Sequence, residues 1–245
     1  ILYYLVALYG GGFVSEISPH GADIFNTEPT WRLFADLKKW WKDKLIPPDS
    51  IAWGDIDNNL AFMEGRVFAV HNPTTLLAAM VKENHPLLES TGVINVPPVI
   101  EAKESFFVFK STPEREALAK DLLYHMLSNK ERLRVAICDQ AGMYGFPIFK
   151  SQAEVVSEKI AKKEGVYKYA LHDVVEPFRK GEFYMWSNTV PIPYGKAYPA
   201  WEAITSSLEV PQYLTKLVTE DLDPKKVAAN MAAWMNSVLA EWAGK

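Results

Sequence analysis

Apolar residues recur along this chain in two rhythms, one with helical spacing and one alternating. The apolar opening Ile1–Tyr9 runs into Gly10-Gly11-Gly12, a run that stops any helix. Phe13–Ile17 then predicts a short strand. Thr27-Glu28-Pro29 supplies a cap and a first-turn proline, and Trp31, Phe34, Leu37 and Trp41 follow at helical spacing to Lys44, with Pro47-Pro48 beyond the end. Asp57-Asn58-Asn59 caps a further helix carrying Leu60, Phe62 and Met63 and closing at Gly65. Arg66–His71 alternates and ends at Asn72-Pro73, which predicts a strand, and Thr74 or Thr75 caps the helix through Val81.

Ser105–Phe109 predicts another strand, after which Thr112-Pro113 opens a helix with Leu118, Leu122, Leu123 and Met126 on its apolar face. From Ser151 onward the pattern is mainly helical, with boundaries at Pro199 and at Asp223-Pro224. The last helix places Val227, Met231, Trp234, Val238 and Trp242 on one face. Helices alternating with strands predict an α/β protein. No internal repeat or low-complexity tract interrupts the pattern.

Composition narrows the classes. With 245 residues, 49% hydrophobic and 13% aromatic, the chain has ample apolar surface to offset its conformational entropy, which excludes disorder. Twenty-six basic against 30 acidic residues leave a net charge of −4, with no electrostatic footprint for nucleic acid. Cys138 stands alone, so neither an intrachain disulfide nor a zinc site of several cysteines is expected. The longest apolar run falls well short of the roughly 18 residues of a spanning helix. It also lacks the basic start and cleavage site of a signal peptide. Beginning with Ile1, the sequence reads as a processed product or a fragment.

Motifs for hydrolysis, nucleotide binding or metal chemistry are missing: there is no G-x-S-x-G, H-E-x-x-H, Walker loop or G-x-G-x-x-G. His20, His71, His85, His125 and His172 are scattered without metal-ligand spacing, and Cys138 has no evident base. The expectation is a protein without metal or cofactor that catalyses no reaction. What stands out is a supply of eight Trp and eleven Tyr, several of them in predicted loops beside amides and hydroxyls. Trp53 neighbours Asp55 and Asn58-Asn59, Tyr144 lies within Gly142–Pro147, and Tyr194, Tyr198 and Trp201 fall within Pro193–Trp201. The C–H face of a pyranose packs on such rings, while its hydroxyls need directed donors and acceptors. The competing reading makes these residues core or rim aromatics and helix caps, as Trp31, Trp40, Trp41, Trp234 and Trp242 are expected to be.

The order of these motifs resembles the C-terminal two-thirds of family 1 extracellular solute-binding proteins, the sugar-type, maltose-binding-protein-like receptors of bacterial ABC importers. Leu8-Tyr9-Gly10-Gly11 resembles the family's turn near the ligand, and Leu33–Leu45 its recurring helix. Ala61–Asn72 is similar to the segment A-F-x-x-G-x-x-A-M-x-x-x-G, with Phe68-Ala69 in place of Ala-Met. Ser111–Leu127 resembles S-x-N-x-E-x-A-x-x-F-x-x-Y-L, and Tyr144–Ser151 the P-hydrophobic-x-K-S turn.

The resemblance implies a periplasmic-binding-protein-like fold, two α/β lobes closing on a ligand about a hinge, with the N-terminal part of the first lobe absent here. Residues 1–95 and 150–245 would form the second lobe, ending in helices, and 96–149 the hinge crossing and the returning segment of the first. The implied ligand is a sugar or polyol, and Trp53, Asp55, Asn72, Thr74, Thr75, Tyr144, Tyr198 and Trp201 are its candidate contacts. Thr75 falls where relatives place a stacking Trp, so Asn72, Thr74 and Thr75 would bind by hydrogen bonds. Trp201 matches an aromatic that stacks on a sugar face, and Tyr144 a hinge-side residue. The implied partners are the permease's transmembrane subunits and the missing N-terminal segment; the location is periplasmic or extracellular, free or lipid-anchored. Three other readings remain. They are a receptor for a polyamine, opine or chelate, a glycoside hydrolase using carboxylates about 5–10 Å apart, and an adaptor without a ligand.

Overall fold

A computed structural model of the chain describes residues 2–72, 75–92, 108–129 and 199–243, with the isolated positions 131, 154, 158–159, 161–164 and 168. The chain divides into two compact units. One comprises Ile1–Asn58, Pro98–Glu101 and Tyr184–Lys245, the other Asn59–Pro97 and Ala102–Phe183.

The helices in chain order are α1 (Leu2–Leu8), α2 (Glu28–Lys42), α3 (Asp57–Met63), α4 (Thr75–Lys82), α5 (Pro113–Ser128), α6 (Pro199–Thr205), α7 (Glu209–Thr219) and α8 (Pro224–Trp242). Their ends follow local chemistry. Thr112 and Asp223 cap α5 and α8, their side-chain oxygens accepting from Arg115 N at 3.4 Å and Lys226 N at 2.9 Å, each followed by a first-turn proline. At α1 and α3 a left-handed glycine, Gly10 (φ 85°) or Gly65 (φ 71°), turns the chain so that two final carbonyls are satisfied. Gly11 N donates to Val6 O and Arg66 N to Ala61 O, both six-residue closures.

The α/β periplasmic-binding-protein-like architecture is corrected here. Among the described residues there is no strand and no sheet; the fold is helix-rich. The predicted strand Phe13–Ile17 is an irregular loop. Phe13 and Val14 are fully buried, but Ser15 N donates to Gly21 O at 2.8 Å, a partner within the same loop rather than on a neighbouring strand. The consecutive Phe13 and Val14 are inserted among the helices of the first unit, and a short apolar run of this kind does not by itself distinguish a strand from a buried loop. Arg66–His71 is likewise irregular, with Phe68 fully exposed, so its alternation covers no core. Of Ser105–Phe109, residues 105–107 lie outside the described residues, and 108–109 are irregular with Phe109 87% exposed.

The first unit is built around α8, which packs on α2, α6 and α7; α2 in turn meets α1 and α7. Its core joins Phe13, Phe25, Leu33, Phe34, Ile204, Leu217, Met231, Met235 and Leu239. The buried stripe of α8 is Val227, Ala228, Met231, Ala232, Met235 and Leu239. It is centred about 60° round the helix from the predicted face, and Trp234, Val238 and Trp242 lie on its flank, partly buried against the same core. Outside the core, Lys38 ties α2 to the turn between α7 and α8. Its Nζ lies 2.9 Å from Asp221 Oδ1 and donates to the carbonyls of Asp221 and Leu222 at 3.1 and 2.6 Å. Lys42 reaches the same carboxylate at 2.9 Å. These two ammonium groups hold the Asp221 carboxyl below its ordinary range.

In the second unit Ala61, Leu76, Leu77, Met80 and Leu88 are buried. Along α5 no described residue is buried.

Candidate functional site

The predicted contacts fall into three settings. Trp53 and Asp55 share one loop of the first unit, entered through a 3-10 turn, Pro48–Ala52. Trp53 is half-buried, and its indole N–H donates to Asp49 Oδ2 at 3.2 Å. That bond fixes the ring over its own loop. Gly54 N donates to Asp57 Oδ2 at 2.6 Å, which holds the loop against the start of α3 and leaves Asp55 exposed. Ile51 and Ile56 flank the pair and are exposed.

Asn72 and Thr75 belong to the second unit. Thr75 is the first residue of α4, where the amides of the opening turn have no intrahelical carbonyl to bind. Asn72 is half-buried, and its Nδ2 donates to Oδ1 of Asn59 on α3. Leu76, Leu77 and Met80 behind Thr75 are buried, so the polar start of α4 faces away from a packed apolar side. The sequence reads Asn59 as one of three capping residues, Asp57-Asn58-Asn59. Its bond to Asn72 spans 13 positions, and the only hint of it in the sequence is a pair of amide residues, one in the first turn of α3 and one at the end of the loop that follows it.

Trp201 lies on α6 within the core of the first unit, only 7% exposed. Its ring meets Tyr3 at 5.4 Å and 65°, and Phe13 at 5.9 Å and 73°, both edge-on contacts. Its Nε1 is buried without a hydrogen-bond partner. Burial, and then the nearby Glu202 charge, pushes the Tyr3 phenol above its ordinary value. Trp201 is therefore enclosed by aromatic rings rather than presented on a surface. Thr74, Tyr144 and Tyr198 lie outside the described residues.

Thus Trp53 and Asp55 share one loop, Asn72 lies in the same unit as Thr75 and gains Asn59, and Trp201 is in the core. Among the described residues no group of three or more His, Cys, Asp and Glu could hold a metal ion, and no helix is long and apolar enough to cross a membrane. The second unit's site offers amides and a hydroxyl: neutral groups that donate and accept. No protein-family model, curated protein or solved structure matches this chain.

Proposed function

We propose that the chain is a solute-binding protein that captures a neutral polyhydroxylated molecule, a sugar or polyol, and hands it unaltered to the permease of an ABC importer outside the cytoplasmic membrane. The observation that carries this reading is the Asn59–Asn72 amide pair. It ends the Ala61–Asn72 segment, one of the stretches that resemble the sugar receptors, and it stands three residues before the start of α4. Hydroxyls both donate and accept, so neutral amides and a threonine hydroxyl match them without the desolvation cost that a charge would add. Asp55 is the one carboxylate among the candidate contacts, which favours a neutral solute over a polyamine, since cations are usually met by several carboxylates or an aromatic box. The reading needs no sheet and no pair of closing α/β lobes.

Calorimetric titration of the whole chain with mono-, di- and trisaccharides and polyols, alongside a reducing-sugar assay, tests it. Binding of at least one compound with no turnover is expected. Binding of none overturns the reading. Sugar release abolished by Asp55→Asn replaces it with glycoside hydrolysis.

A further inference from the structure

We draw no further inference here: the strongest candidate, the exposed apolar stripe of Leu118, Leu122 and Met126 along α5 in the second unit, carries nothing because nothing in the structure shows what covers it.

Discussion

Asn236, in the last helix, accepts the backbone N–H of Ala22 at 2.8 Å and donates its own Nδ2 to Asp23 Oδ1 at 2.7 Å. One side chain therefore serves two consecutive residues more than 200 positions earlier, and it fastens the buried loop that holds Phe13 and Val14 to α8. Asn236→Ala strands the Ala22 N–H and costs about 1–2 kcal/mol in urea unfolding. Asn236→Asp keeps an acceptor for Ala22 but sets a second carboxylate against Asp23. The two carboxylates raise each other's folded pKa, so this variant is destabilised at neutral pH and regains stability relative to the wild type as the pH falls through the carboxylate range. His20, whose Nδ1 is 3.3 Å from Asp23 Oδ2, is the cation that faces the pair when protonated.

The same loop needs Gly21. A Cβ added there would stand 1.9 Å from the carbonyl oxygen of Glu16 and 3.2 Å from Leu239 Cδ1. A backbone oxygen cannot swing aside as a side chain does, so Gly21→Ala opens the loop and costs about 1–3 kcal/mol. Gly54→Ala is the control. Its added Cβ meets only Asp57 Oδ2, at 3.6 Å, ordinary contact, and its unfolding midpoint stays near that of the wild type.

What could be read in advance was chemistry that acts within a few residues. The stops at Gly10 and Gly65, the caps at Thr112 and Asp223 and the helix starts at Pro199 and Pro224 all follow from local donors, acceptors and steric limits. Lys44, Asn84 and Asp221 close helices in the same left-handed conformation, yet Lys and Asp there are ordinary surface residues to a reader of sequence. At Asp221 the lysines of α2 supply the reason, and they lie about 180 positions away. The strands failed for a related cause. The apolar Phe13-Val14 pair enters a helical core from a loop, and a short apolar run cannot distinguish that from a buried strand. Among the candidate contacts, a polar neighbourhood in sequence put Trp53 in a solvent-reaching loop. The same criterion at Trp201 could not register that its helix turns the indole onto Tyr3 and Phe13.

Trp201 therefore makes a prediction of its own. Truncation to Ala empties a large volume among Tyr3, Phe13 and Ile204, and about 3–5 kcal/mol of stability goes with it. Trp201→Phe keeps most of the ring and forfeits no hydrogen bond, because Nε1 makes none; its cost stays below about 1.5 kcal/mol. Denaturant unfolding of both variants checks the ordering. A Phe variant with unaltered stability and sharply weaker sugar affinity would instead make Trp201 a ligand contact.

Tyr9 closes α1 and donates its hydroxyl to Asp36 Oδ2 on α2 at 2.7 Å. Burial, this hydrogen bond and the Asp36 charge push its phenol up to about 12, against a smaller opposing pull from Arg32. A folded pKa above the unfolded value of 10.0 means that the contribution is fully present below that value and is lost as the pH rises through about 12. The stability gap between wild type and Tyr9→Phe is therefore flat up to pH 10.0 and closes over that interval. Phenolate absorbance gives the same answer directly, with a late-titrating tyrosine near 12 in the wild type that is missing in the variant. Tyr3 and Tyr213, also raised by burial, persist in both proteins, so the difference spectrum isolates Tyr9. A difference midpoint at the ordinary tyrosine value would mean that the Tyr9–Asp36 bond does not hold α1 to α2 in solution.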